Sequence, residues 1–213
     1  LFTAWSSLPD PLLAGVLASA TFDAVTLDMQ HGGHSDESVL RCIGPVIQNG
    51  AHPIVRVPVG RFDMASRALD FGAEAVIAPM INTLEDAQAF AGFMKFPPLG
   101  SRSWGPTRAM AFRGMGDANS YFQIANGETL AIAMIETMEA LAIADDILAL
   151  DGIDGVFVGP SDFSIAWSNS ALVDPRHDGM TAILRDIASR ARKAGKFAAS
   201  FGGRPMSASR RAL

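Results

Sequence analysis

Short apolar runs alternate along this chain with stretches in which apolar positions recur every three or four residues, the pattern of βα units around a parallel sheet. The runs predict seven strands, near Phe2–Trp5, Ala24–Asp28, Pro53–Val57, Ala75–Pro79, Leu130–Glu136, Gly155–Gly159 and Lys196–Phe201. Between them, Val39, Leu40, Ile43, Val46 and Ile47 fall on one helical face after a cap in Ser35-Asp36. Leu84, Ala87, Ala91 and Met94 do the same after the capping-box-like Thr83-Leu-Glu-Asp86. Leu141, Ala144, Ile147 and Leu148 form a third stripe, stopped by Asp151-Gly152. Ile183, Ile187 and Ala191 form a fourth, stopped by Gly195.

Seven strands with intervening helices are one short of an α/β (β/α)₈ TIM barrel, a fold of typically about 250 residues. The chain has 213 residues, and Arg210-Arg211-Ala-Leu213 falls inside the helix expected after strand seven. The expectation is therefore a single domain over residues 1–213 that lacks the eighth strand and final helix. An open doubly wound sheet would instead place a glycine-rich phosphate loop after the first strand, and Ser6-Ser7-Leu8-Pro9 is not one. Phe96 to Asn126 interrupts the alternation and reads as a long loop, a functional lid, an interface segment or disordered, with Arg102 and Trp104 as its most site-like residues.

Composition narrows the chemistry. Apolar residues make up 49% of the chain, enough for one core, and a net charge of −5 with dispersed arginines leaves no footprint for nucleic acid. No run approaches the ~20 apolar residues of a membrane span. The single Cys42 lies in a helical apolar pattern and is expected to be buried and inert, in keeping with a reducing, cytoplasmic setting.

In a parallel barrel the C-terminal strand ends converge on one pocket. Asp28 and His31 end strand two, Arg56 ends strand three, Glu136 ends strand five and Asp162 follows strand six. Glu136 and Asp162 would be neighbouring carboxylates, which repel unless a proton or a divalent cation lies between them. The competing reading makes each a helix cap. Asp28, three residues before His31, is placed to orient the imidazole of a general base. Arg56 needs an anionic partner, either a bound oxyanion or a sheet carboxylate such as Asp28. Gly159-Pro160-Ser161-Asp162 opens onto a helix start whose free N–H groups suit a substrate carboxylate. His34, His52 and His177 read as surface or loop residues. No barrel-interior lysine sits at a strand end, since Lys95, Lys193 and Lys196 flank helices and loops, which argues against Schiff-base chemistry.

Leu27-Asp-Met-Gln-His-Gly32, Val55-Arg-Val-Pro58, Ala68-Leu-Asp-Phe-Gly-Ala73, Ala78-Pro-Met-Ile-Asn-Thr83, Phe96-Pro-Pro-Leu-Gly-Ser-Arg-Ser-Trp-Gly-Pro106, Ala133-Met-Ile-Glu-Thr137 and Gly155-Val-Phe-Val-Gly-Pro-Ser-Asp162 resemble, in order, the blocks of the HpcH/HpaI aldolase family. The resemblance implies a phosphoenolpyruvate/pyruvate-type TIM barrel and a class II, metal-dependent pyruvate aldolase, a carbon–carbon lyase that cleaves 4-hydroxy-2-oxo acids to pyruvate and an aldehyde. It implies that Glu136 and Asp162 ligate Mg²⁺, Mn²⁺ or Co²⁺ and that Arg56 contacts the keto oxygen of pyruvate. It further implies that His31 assists proton transfer with Asp28 behind it, and that the main chain at Gly159, Ser161 and Asp162 holds the carboxylate. A homo-oligomer, a hexamer built from dimers, is implied as well. Met134 stands where some members carry Gln. The alternatives are an oxaloacetate decarboxylase or macrophomate-synthase-like enzyme on the same enolate site, and a non-catalytic barrel scaffold.

Overall fold

The computed structural model describes residues 1–169 and 172–202. Seven parallel strands, β1 (Thr3–Ser6), β2 (Ala24–Asp28), β3 (His52–Arg56), β4 (Ala75–Ala78), β5 (Leu130–Ile135), β6 (Gly155–Val158) and β7 (Phe197–Ser200), pair strictly in chain order. The described residues thus form a TIM-barrel-like α/β fold whose sheet has β1 and β7 as its edges. The expected helix at Arg210–Leu213 lies outside the described residues. All seven strands fall within one or two residues of the sequence expectation.

Helices cover the outside: α1 (Pro11–Ser19), α2 (Asp36–Gln48), α3 (Phe62–Phe71), α4 (Leu84–Met94), α5 (Thr107–Phe112), α6 (Ala118–Glu128), α7 (Met138–Ala142), α8 (Ala144–Ala149), α9 (Pro160–Trp167) and α10 (Asp178–Lys193). α2 begins in a reciprocal Ser35/Ser38 capping box, and α4 begins with the Thr83 side chain accepting the Asp86 N–H. Among the described residues, no helix is long and apolar enough to cross a membrane.

Alternation along the strands sorts the core into two layers. Val25, Leu27, Val55, Val76, Ala133 and Val156 face the helices, whereas Ile54, Ile77, Ile132, Met134 and Phe157 fill the interior with Trp5 packed against them. Trp5 on one edge strand and Phe201 just beyond the other bring their rings to 4.4 Å, so the sheet is curled enough for its two edges to meet through side chains.

The Phe96–Asn126 segment is not the irregular loop expected from its prolines and glycines, because it folds into α5 and most of α6. Nor does it reach the strand ends where Arg56 and Glu136 sit. Arg102 is buried, donates to Asp70 Oδ1 at 2.6 Å and lies over the Phe96 ring, and Trp104 packs on Phe96, Tyr121 and Phe122. The same segment joins a buried cation at the N-terminal end of the sheet. Lys95 Nζ donates to the carbonyls of Asn126 (2.7 Å) and Thr129 (2.6 Å) and pairs with Asp154 at 2.7 Å. Thr129 and Asp154 immediately precede β5 and β6, so one ammonium ties together the starts of two strands. Lys95→Met would remove the donor to both carbonyls and the counter-charge of Asp154, whose Oδ2 still accepts the Ala131 N–H, and is expected to cost about 3–5 kcal/mol, measured by urea unfolding.

Candidate active site

Sheet register builds the opposite end. Asp28 and Arg56 are direct partners across β2 and β3, and both point inward with Thr26 and Ile54 below them. Arg56 Nε donates to Asp28 Oδ1 at 2.8 Å and Arg56 Nη2 to Oδ2 at 2.6 Å, a bidentate pair with both side chains buried. The Trp5 indole N–H donates to Oδ2 at 3.2 Å, and the Trp5 ring lies 4.9 Å from the guanidinium carbon. Backbone N–H groups of Gln30 and His31 donate to Oδ1 at 3.0 and 3.3 Å. Burial by itself pushes the Asp28 carboxyl up, but the bonds from Arg56 and Trp5, the Arg56 charge and the Gln30 N–H outweigh it and hold the pKa at about 2.

Of the two partners foreseen for Arg56, the sheet carboxylate is the one seen. Asp28 meets His31 at the backbone: among the described residues its carboxylate makes no hydrogen bond to the imidazole, which is exposed beside the cavity. Gly32 follows because there is no room for more. A Cβ there would run into the Asp28 carbonyl and come within 3.0 Å of Ser7 Cα. His34, expected at the surface, is buried between Ser6 and Ser38, with each ring nitrogen 3.1 Å from a serine hydroxyl. Burial lowers its pKa, with the Asp28 charge opposing, so it sits neutral as a strut between β1 and α2. His52 pairs with Glu74 and His177 stacks on Trp167, both outside the cavity. Cys42 is buried and its thiol is pushed up to about 11, chiefly by burial, as expected of an inert residue.

Glu136 follows β5 and is 2% exposed. The register that pairs Ile135 with Val158 sets Gly159 beside it. Its Oε1 accepts the Met80 N–H at 2.8 Å, and a Cβ at residue 159 would collide with its Oε2. Burial raises its pKa and the Asp162 charge adds to that, while the Met80 N–H and Arg56 act against it. It is not a helix cap: Thr137 caps α7 by accepting the Ala140 N–H. Asp162 lies in the first turn of α9, which has no side-chain cap and starts at Gly159-Pro160. His31, Arg56, Glu136, Gly159, Ser161 and Asp162 line one cavity of about 270 Å³, together with Met134, Pro160 and Phe201.

Every site residue expected from the strand ends except Asp28 lines this cavity, and Asp28 stands directly behind Arg56. Trp5, Met80 and Phe201 were missed. Trp5 lies one residue before the end of β1 and Phe201 one residue beyond β7, where the strand-end rule could have found them, whereas Met80 acts through its backbone and carries no sequence signal. The donor chemistry suits a hard divalent cation. A buried carboxylate whose charged form is penalised faces a second carboxylate, and such ions accept two protein oxygens and keep several waters. No cluster of three or more His, Cys, Asp or Glu side chains able to hold a metal occurs among the described residues.

Residues 1–201 match the model of the HpcH/HpaI aldolase/citrate lyase family. The chain belongs to this family. A hydroxypyruvate/pyruvate aldolase from Rhizorhabdus wittichii is 39% identical over 199 residues, 93% of this chain and 78% of that protein. A 2-keto-3-deoxy-L-rhamnonate aldolase from Klebsiella pneumoniae is 30% identical over 194 residues, 91% of this chain and 71% of that one. The crystal structure of an HpcH/HpaI aldolase/citrate lyase family protein from Burkholderia cenocepacia superposes with a TM-score of 0.83 at 30% identity, covering 95% of this chain and 80% of that one. The protein is a carbon–carbon lyase of the aldolase type, which replaces the scaffold alternative.

The depressed pKa of Asp28 has a pH consequence for this aldolase. Because the folded value lies below the ordinary 3.8, the pair stabilises the fold fully above about pH 4 and stops doing so as pH falls through about 2. Asp28→Asn leaves a buried guanidinium without its counter-charge and is expected to lose about 3–5 kcal/mol at pH 7. Urea titrations at both ends of that range should show the gap between the two proteins narrowing in acid.

Proposed function

We propose that this site forms the enolate of pyruvate, or of a close 2-oxo acid, and adds it reversibly to an aldehyde, so that 4-hydroxy-2-oxo acids are cleaved to pyruvate and aldehyde. The observation that carries the reading is the buried Glu136 carboxylate beside Asp162, in a cavity shared with Arg56 and His31. The pyruvate and hydroxypyruvate specificities in the relatives' names point the same way.

Glu136 and Asp162 would hold a divalent cation, Mg²⁺, Mn²⁺ or Co²⁺. Bound there, such an ion supplies Lewis-acid polarisation of a 2-oxo acid and acidifies the adjoining carbon. Asp28 occupies one edge of the Arg56 fork and fixes its plane, leaving the cavity side of the guanidinium to face the developing enolate oxygen. The first N–H groups of α9, at Ser161 and Asp162 after Gly159, meet the substrate carboxylate. His31 takes the proton of the 4-hydroxyl in cleavage and returns it in addition. The methyl proton of pyruvate leaves to solvent water when the enolate forms and is returned from water when the enolate is released as pyruvate. Asp28 serves His31 by fixing its backbone. The same reading carries a single domain, a homo-oligomer that is a hexamer built from dimers, and a cytoplasmic setting.

Exchange of pyruvate methyl protons with deuterated water isolates enolate formation. Exchange should stop with a chelator, return with Mn²⁺, and vanish in Glu136→Gln and Asp162→Asn while both variants stay folded. Chelator-resistant exchange would reject the reading, as would oxaloacetate decarboxylation with no turnover across an aldehyde panel.

His31→Ala should keep that exchange but lose about 10²–10⁴-fold in retro-aldol rate. An unchanged retro-aldol rate rules out His31 as the base. Arg56→Lys keeps the charge without the planar fork, and its kcat should fall at least about tenfold in a folded protein.

A further inference from the structure

Met80 is a non-glycine residue in the left-handed region, with φ of 53°, two residues beyond the end of β4. L-residues other than Asn, Asp and His rarely adopt that conformation, and it persists only where the surroundings over-determine it. Here they do. Pro79 before it is buried, and Ile81 after it is fully buried in the layer between sheet and helices, while the Met80 side chain itself is only half-buried. The chain is therefore pinned on both sides of residue 80, and the side chain between the pins is not what the fold requires. What the conformation delivers is the N–H, which reaches across from β4 and donates to Glu136 Oε1 at 2.8 Å. On the far side of the same carboxylate stands Gly159. Its φ of −87° is open to any residue, so the glycine answers to space: a Cβ would strike Oε2 and come within 3.0 Å of Glu136 Cβ.

We propose that Met80 is a positioning residue whose strained backbone N–H takes up one oxygen of Glu136, so that the carboxylate, wedged against Gly159, presents only Oε2 to a divalent cation. The proposal rests on the reading of Glu136 as a metal ligand. A hydrogen bond to a charged acceptor is strong and directional, and the outer partners of ligating carboxylates set their orientation. Met80 touches no substrate in this account. It acts through Glu136.

Two measurements test it together: Mn²⁺ affinity by titration of the full chain, and metal-free crystal structures of the same proteins. Met80→Gly and Met80→Ala should keep the N–H bond to Oε1 and bind Mn²⁺ within about threefold of wild type, since both tolerate the backbone at least as well as Met. Met80→Val, β-branched and hostile to positive φ, should release the carboxylate and bind Mn²⁺ about 10–100-fold more weakly. Gly159→Ala attacks the same clamp from its other wall and should weaken binding to a similar degree, which decides the matter if the valine variant fails to fold. A folded Met80→Val with wild-type affinity overturns the proposal, as does Met80→Ala binding as weakly as Met80→Val, because the thioether would then be the operative group. Wild-type protein that binds no Mn²⁺ sinks the metal reading. In that case the metal-free structures still decide whether residue 80 sets the Glu136 rotamer.

Discussion

Charge carried into the mouth of a barrel has to be compensated, and this protein compensates two of its buried charges with each other and leaves a third open. Asp28 and Arg56 are register partners on adjacent strands, so their bidentate pair is as fixed as the sheet itself. Among the described residues Glu136 has no ion-pair partner: Arg56, whose charge reaches it, is already committed to Asp28, and one backbone N–H is the only hydrogen bond on the Glu136 carboxylate there. Burial and Asp162 both raise its pKa, so the ionised form is held at a cost that a ligand's positive charge would lift.

The two ends of the sheet treat charge differently for that reason. At the N-terminal end, Lys95 is saturated by two carbonyls and a carboxylate, a closed network that ties strand starts together and offers nothing to a ligand. At the C-terminal end the polar groups stop short of satisfying one another, and a cavity of about 270 Å³ lies among them. A satisfied network gives stability and an unsatisfied one gives chemistry.

The strands and the inward strand-end charges were legible in the sequence because alternation and apolar runs report burial directly. The Asp28 partner of Arg56 could not be fixed there, since a guanidinium donates equally well to a substrate oxyanion and to a neighbouring carboxylate, and only the β2–β3 register sets Asp28 opposite it. His34 looked like a loop residue because its serine partners, Ser6 and Ser38, come from separate elements. Phe96–Asn126 hid two helices behind its prolines and glycines, and Arg102 seemed site-like until the path of that segment placed it against Asp70. The Met80 clamp was out of reach altogether, because a methionine does not signal the positive φ it adopts here.

The central claim is that Glu136 and Asp162 share one cation next to Arg56. Anomalous diffraction from crystals grown with Mn²⁺ and pyruvate tests it most directly. The account requires a single strong peak at about 2.0–2.6 Å from a carboxylate oxygen of each residue, with pyruvate between that peak and the Arg56 guanidinium. A peak elsewhere, or pyruvate bound in this cavity with no metal beside the two carboxylates, would contradict it.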